Sequence, residues 1–240
     1  VLFRSLKGHS GLIWSVAFSP DGERVVTASA DQTAKVWEAD SGGELFTFKR
    51  HSDLVWSAAF SPDGQRIVTG SSDRMAKVWD ASGRELLTLQ GHSNTIYSVA
   101  ISADGQRIVT GSWDQTAKVW DATSGVELLT LRGTDGNVGS VAFSPDGQRI
   151  VTGHGGSMAK VWEAASGREL LTLNGHSSFI WSVAFSPDGQ RIVTGGFDQT
   201  AKVWEAPSGQ EPLSLTIPMA RWPLPLFPDG RRLVTASRER

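Results

Sequence analysis

The chain has 240 residues, with 23 Lys and Arg set against 25 Asp and Glu; this near-neutral balance, without any basic run, argues against a nucleic-acid partner. No stretch approaches the ~20 consecutive apolar residues of a membrane-spanning helix, so no membrane partner is expected. Cysteine is absent, which excludes disulfides and thiolate metal sites and is compatible with a reducing, cytoplasmic setting. Val1 is preceded by no charged-then-apolar leader; the expectation is a piece of a longer, multidomain chain without a signal peptide.

Taken in order, the first forty-odd residues contain four short strands. Residues 12–18 (LIWSVAF) are an apolar run, and Ser19-Pro20-Asp21-Gly22 follows as a tight turn, with Pro setting φ and Gly accepting a positive one. Residues 24–29 (RVVTAS) form a β-branched strand, Ala30-Asp31-Gln32 a short turn, and 33–38 (TAKVWE) a third strand. Asp40-Ser41-Gly42 is another turn signal before 44–48 (ELFTF). No helical period competes.

The same unit then recurs. The run A-K-V-W ends at Trp37, Trp79, Trp120, Trp162 and Trp204, in steps of 42, 41, 42 and 42 residues. The Asp of D-G keeps the same period at Asp21, Asp63, Asp104, Asp146, Asp188 and Asp229, and H-S recurs at His9, His51, His92 and His176. A unit of about forty residues is too small to bury a core alone, so the units must stack on one another. Residues 2–6 match a fourth strand, five full repeats end at 211–215, and a sixth supplies strands near 221–227 and 231–237 before Arg240. Pro218, Pro223 and Pro225 weaken that sixth copy.

These markers resemble the WD-repeat family, in a form with near-identical repeats of bacterial type. Gly8-His9, Gly91-His92 and Gly175-His176 match its G-H signature, with Arg50-His51 a variant; Trp79-Asp80 and Trp120-Asp121 match its W-D signature, which Trp37-Glu38, Trp162-Glu163 and Trp204-Glu205 modify. The resemblance implies an all-β chain: a β-propeller of four-stranded antiparallel blades. It would be a single domain over residues 1–240, with five full repeats and a partial sixth, incomplete at the C-terminal end and a fragment of a larger propeller.

It also implies a buried relay in each blade, joining a His, a hydroxyl of the second strand, a turn Asp and the Trp. Carried over, the sets are His9, Ser29, Asp31 and Trp37; His51, Ser71, Asp73 and Trp79; and His92, Ser112, Asp114 and Trp120. The fifth set has Gly196 in place of the hydroxyl. The fourth keeps only Trp162, with Thr134, His154 and Gly156 elsewhere, and is expected to be less tightly fixed. A recurring His, Ser and Asp tied to a Trp does not make a hydrolase triad, and no His has a second ligand at metal spacing. No catalytic residue, metal or cofactor is expected.

Five tryptophans lie outside the A-K-V-W position. Trp14, Trp56 and Trp181 fall five residues after the His, Trp222 aligns with them through its following Pro-Asp-Gly, Tyr97 takes the place in the third repeat and Gly139 in the fourth. By the resemblance, this position shares a channel-mouth face with the residue before the turn Asp (Ala30, Ser72, Trp113, Phe197) and with the third residue after the His (Leu12, Leu54, Thr95, Phe179). The expected site is a ring of aromatics, Trp14, Trp56, Tyr97, Trp113, Phe179, Trp181, Phe197 and Trp222, binding a peptide or partner protein. Asn137, Gly139 and Gly155 are expected to leave a smooth gap in it. The lysines of A-K-V-W read as solvated, stem-packed side chains, and the Arg after each D-G turn as surface charge balance. A protein-interaction scaffold or sensory module is therefore expected rather than an enzyme. The competing readings are a propeller enzyme or small-ligand binder at the channel mouth, and a purely architectural spacer.

Overall fold

The structure, a computed structural model, describes residues 6–133 and 136–216. Every regular element among them is a β-strand. The strands of the first sheet are β1 (Ile13–Phe18), β2 (Arg24–Ser29), β3 (Ala34–Glu38) and β4 (Glu44–Phe48). The second holds β5 (Val55–Phe60), β6 (Arg66–Ser71), β7 (Met75–Asp80) and β8 (Glu85–Gln90). The third holds β9 (Ile96–Ile101), β10 (Arg107–Ser112), β11 (Thr116–Asp121) and β12 (Glu127–Arg132). The fourth holds β13 (Val138–Phe143), β14 (Arg149–His154), β15 (Met158–Glu163) and β16 (Glu169–Asn174). The fifth holds β17 (Ile180–Phe185), β18 (Arg191–Gly196), β19 (Thr200–Glu205) and β20 (Leu213–Thr216). In each sheet the strands lie side by side in chain order, the antiparallel meander that the repeat predicts. The strands expected at 2–6, 221–227 and 231–237 lie outside the described residues.

Two compact units make up the chain, residues 1–110 with 120–128 and residues 111–119 with 129–240. Within the first unit, the face formed by Val26, Ala28, Val36 and Phe48 of the first sheet meets Val55, Ala58, Ile67 and Trp79 of the second. Val68, Val78 and Leu89 of the second sheet meet Ile96, Val99, Ile108 and Trp120 in the same manner. In the second unit, Val151, Val161 and Leu173 of the fourth sheet meet Ile180, Val183, Ile192 and Trp204 of the fifth. Each fully buried aliphatic side chain contributes ~1.5–3 kcal/mol, so the shared face between sheets, rather than any one sheet, holds the fold.

Turn chemistry explains the spacing. In Ser19-Pro20-Asp21-Gly22 the Gly22 N–H donates to the Ser19 carbonyl at 2.9 Å and Gly22 has φ of 75°. The Ser19 hydroxyl donates to Asp21, whose carboxylate also accepts the Glu23 N–H. The arginine that follows does balance the turn charge, Arg24 lying 3.9 Å from Asp21 as the sequence suggests, but it also does more. The Arg24 guanidinium lies 5.4 Å from the Phe60 ring centre and donates to the Gly64 carbonyl at 2.8 Å; Arg149 treats Phe185 and Gly189 alike, at 5.2 and 2.8 Å. Arg66 reaches both the Gly105 and Ala122 carbonyls. These arginines staple one sheet to the turn of the next.

The A-K-V-W lysines also differ from their expectation of solvated heads. Lys35, Lys77, Lys118, Lys160 and Lys202 are all buried. Lys35 is held by Glu44 at 2.7 Å and Thr47 at 2.8 Å, Lys77 by Glu85 and Thr88, and Lys202 by Glu211 and Ser214. A buried ammonium needs such partners because stripping it of water is costly.

Candidate functional site

The first strands β1, β5, β13 and β17 each carry a β-bulge, and the bulge is what presents the aromatic position. In β1, Ile13 pairs with Ser29 and Ser15 with Ala28, leaving Trp14 as the extra residue. The register shifts likewise across Trp56, Gly139 and Trp181. An inserted residue reverses the in–out alternation, so Val55 and Ala58, three apart, both face the core while Trp56 is turned away from it. The spacing of buried residues at i and i+3 in VWSA, IYSV, VGSV and IWSV was the sequence signal for this.

In the first unit, Trp14, Trp56 and Tyr97 form a ladder, with ring centres 4.5 Å apart between Trp14 and Trp56 and 4.6 Å between Trp56 and Tyr97. The Trp56 indole donates to the Ser72 hydroxyl at 2.7 Å. Burial raises the Tyr97 phenol above its usual pKa. This ladder is mostly packed, one ring covering the next.

In the second unit, Phe179, Trp181 and Phe197 contact one another, with ring centres at 4.5 Å (Phe179–Trp181), 5.0 Å (Trp181–Phe197) and 6.0 Å (Phe179–Phe197). Phe197 is 53% exposed and Trp113 41%. The Asn137 side chain, in the amide orientation that satisfies both its ends, donates to the Trp113 carbonyl at 3.0 Å and accepts from the Trp113 indole at 3.2 Å. The expected smooth gap at Asn137, Gly139 and Gly155 is therefore corrected. Asn137 braces Trp113, and the Phe179 ring is seated over the two glycines. A Cβ on Gly139 would lie 2.5 Å from the ring, and one on Gly155 3.1 Å from it. The missing side chain of one repeat is replaced by an extra one from the next. Trp222 lies outside the described residues.

The relays are present, with a different hydroxyl from the one expected. The Trp37, Trp79 and Trp204 indoles donate to Thr27, Thr69 and Thr194 at 2.8–2.9 Å. Each threonine hydroxyl bonds the Nε2 of its histidine, His9, His51 or His176, at 2.7 Å. The other ring nitrogen of each histidine meets Asp31, Asp73 or Asp198 at 2.8 Å. Because the threonine already accepts from Trp, it donates to His, and a neutral Nδ1–H imidazole donates to Asp; the proton positions follow from the network. Ser29 and Ser71 instead accept the N–H of the turn Asp two residues on, at 3.1 Å. The fifth relay thus lacks nothing, since Gly196 stands only at the turn serine's position.

The fourth repeat rebuilds its relay from another strand. Trp162 donates to Thr152 at 2.8 Å, and Thr152 bonds His154 Nε2 at 2.7 Å. The His154 ring lies against Gly133, where a Cβ would approach it to 2.4 Å. An imidazole from β14 takes the place that a G-H histidine holds elsewhere; Thr134 itself lies outside the described residues. The sheet is complete and its inner positions are buried, so the expected looseness of this blade has no counterpart in its packing.

Charge states fit a structural relay. Burial is the largest influence on Asp198 and raises its pKa, but the Thr200 hydroxyl, the Ser177 N–H and the His176 ring together hold it at about 2. Burial keeps the His176 pKa below its usual 6.5 despite the adjacent Asp198, which favours the neutral ring. Among the described residues, no group of three or more His, Cys, Asp or Glu is placed to hold a metal ion.

A four-stranded meander whose inner face packs on the outer face of the next copy is the blade unit of propeller proteins. The family model "WD domain, G-beta repeat" matches residues 1–38, 42–80, 83–121, 125–163 and 167–205, so the chain belongs to the WD40 repeat family. Individual relatives match over single repeats. The human serine-threonine kinase receptor-associated protein is 50% identical over 40 residues, 17% of this chain and 11% of the relative. Mouse Striatin-4 is 42% identical over 43 residues, 18% of this chain and 6% of the relative. Subunit I of eukaryotic translation initiation factor 3 from Caenorhabditis elegans is 44% identical over 43 residues, 18% of this chain and 13% of the relative. The matched segments are thus a small fraction of those proteins' lengths. WD40 repeats generally form non-enzymatic platforms for other proteins.

Proposed function

We propose that the chain is a scaffold or sensory module that binds a peptide or partner protein through the aromatic patch of its second unit. The observation that carries this reading is the exposure of Phe197 beside the packed pair Phe179 and Trp181, with Trp113 of the same unit exposed and braced by Asn137. A large apolar ring held rigid by neighbours gives contact area with little ordering cost. The Trp14–Trp56–Tyr97 ladder gives the first unit an aromatic surface of its own. The names of the relatives, a receptor-associated protein and a subunit of an initiation factor, fit a protein partner. A place in a longer multidomain chain, bacterial origin of the near-identical repeats and a cytoplasmic location belong to the same proposal; the absence of cysteine supports the last.

The test is a displayed peptide library panned against the chain, followed by calorimetry on the selected peptides. Phe197→Ala and Trp113→Ala should each weaken binding about tenfold or more while leaving thermal stability nearly unchanged. Affinities unaltered by both substitutions would remove the patch as the site.

A further inference from the structure

Asparagine occurs in the chain as Asn94, Asn137 and Asn174, and the three are held differently. Asn137 is bonded to Trp113 at both ends of its amide and is followed by Val138. Asn94 accepts the N–H of Thr95 at 2.8 Å. Val138 and Thr95 are β-branched, so each crowds its own main-chain nitrogen. Asn174 ends β16 and is followed by Gly175, which has no side chain to shield its nitrogen, and both residues are exposed. The ladder stops at the Met158–Asn174 pair, and among the described residues no hydrogen bond holds the Asn174 side chain or the Gly175 N–H. The equivalent Lys49, Gln90 and Arg132 are exposed as well, so the exposure belongs to this strand end in each repeat.

The Asp-Gly turns after the first strand of each repeat carry related chemistry in a locked form. There the N–H of Gly22, Gly64, Gly105, Gly147 or Gly189 donates to the serine carbonyl three residues back at 2.8–2.9 Å. The aspartate before each glycine accepts that serine's hydroxyl and the N–H two residues on. Neither the nitrogen nor the carboxylate is at liberty to turn towards the other.

We propose that Asn174-Gly175 is a self-modifying site, at which the chain converts its own asparagine to isoaspartate and so releases the His176 relay. The Gly175 nitrogen attacks the Asn174 side-chain carbonyl carbon. The new carbon–nitrogen bond closes a succinimide ring, and the side-chain nitrogen leaves as ammonia, carrying the proton that Gly175 gives up. Water then adds to one of the two imide carbonyls. Opening on one side yields aspartate; opening on the other yields isoaspartate, whose main chain runs through the former side-chain carbon. Water is the only co-reactant, and nothing is oxidised or reduced. The extra methylene falls two residues before His176, whose ring is held by Thr194 at 2.7 Å and Asp198 at 2.8 Å, with the Ser177 N–H on Asp198 at 2.9 Å. It cannot be taken up inwards, because a Cβ on Gly175 would already lie 2.7 Å from Glu211 Oε2 and 3.1 Å from the Trp204 ring.

The test is incubation of the 240-residue chain at physiological temperature over weeks, with peptide mapping by a fragmentation method that separates aspartate from isoaspartate. Asn174 should convert about tenfold or more ahead of Asn94 and Asn137, with isoaspartate in excess and the rate rising with pH. The converted chain should melt about 2–4 °C lower or more. Asn174→Gln keeps an amide but lengthens the ring that must close, and Gln90-Gly91 shows that a repeat accommodates this pair. That variant should stay unmodified at position 174 and keep its melting temperature through the same incubation. An Asn174 that survives in the folded chain after Asn94 or Asn137 has converted would overturn the proposal. Isoaspartate formed at position 174 with the melting temperature unchanged would overturn it equally.

Discussion

Replacing Thr69 by Val separates the relay found in the structure from the one that the sequence suggested. Thr69 is fully buried, accepts from the Trp79 indole at 2.9 Å and donates to His51 Nε2 at 2.7 Å. Valine has nearly the same shape, so no cavity opens, but two buried polar groups lose their only common partner. At ~1–3 kcal/mol for each unsatisfied group, the loss comes to about 2–6 kcal/mol. Ser71→Ala, at the hydroxyl first assigned to the relay, removes longer bonds to the Asp73 N–H and the Asp53 carbonyl, both 3.1 Å, and leaves the Trp79 and His51 rings paired with Thr69. That change should cost about 1 kcal/mol or less. Urea titrations followed in parallel by tryptophan fluorescence and far-ultraviolet circular dichroism give both values, with coincident curves as the check on cooperativity. A Ser71→Ala loss equal to or above that of Thr69→Val would refute the assignment.

Three further outcomes follow from the same geometry. His154→Ser installs the residue type found at the equivalent Ser29, Ser71 and Ser112, yet should lower stability by ~1–3 kcal/mol, because Thr152 loses its acceptor and the space against Gly133 empties; an unchanged urea midpoint would remove His154 from the relay. Gly139→Trp restores the repeat's usual residue but collides with the Phe179 ring, so it should lower the melting temperature, and adding Phe179→Ala should recover part of the loss; simple additivity of the two changes would contradict the seating of that ring. Asp198 has its pKa lowered from 3.8 to about 2, so its stabilisation is present above pH ~4 and lost as pH falls towards 2. His176, held neutral with its pKa below 6.5, likewise loses stabilisation as pH falls below that value. The urea midpoint should therefore decline from pH 7 to pH 3, and Asp198→Asn should flatten the lower part of that decline; a midpoint that rises on acidification would contradict both assignments.

The repeat made the fold legible. Strand order, the turns at Ser19-Pro20-Asp21-Gly22 and its equivalents, and the five A-K-V-W tryptophans all occupy the places that periodicity assigns. The relay hydroxyl was misplaced because two hydroxyls, Thr27 and Ser29, lie two residues apart on β2 and so point to the same face. Only the side-chain directions show that Trp37 and His9 meet on Thr27 while Ser29 turns to its own backbone. The arginine and lysine readings were incomplete for a related reason. Charge type alone suggests a surface, but Lys35 is paired across the sheet with Glu44 and Thr47, nine and twelve residues on, and Arg24 with a turn forty residues on. The lysine partners recur at nearly constant offsets, 9 and 12 residues on from Lys35 and Lys202 and 8 and 11 from Lys77, so the signal existed as a spacing between columns rather than as a motif within one.

The candidate site was legible in its residues and not in its relief. Aligning repeats by column treats each as independent, so Gly139 in the fourth repeat and Phe179 in the fifth looked like a gap and an embellishment. Packed together they are one event: a ring supplied by β17's approach fills the space that Gly139 leaves in β13. The same compensation explains His154 and the missing G-H histidine, where β14 supplies the imidazole. Where such pairs exist, an aromatic residue unlike its repeat equivalents is accounted for by packing, and Phe179 joins Tyr97 and Trp181 as support. Phe197 has no glycine beneath it to explain its size, and it stands exposed at a position where two other repeats carry Ala30 and Ser72. Trp113 is exposed at the same position in the third repeat and is braced by Asn137. These two residues, varying where the framework does not and solvated where their neighbours are packed, are therefore where recognition is concentrated in the proposed site.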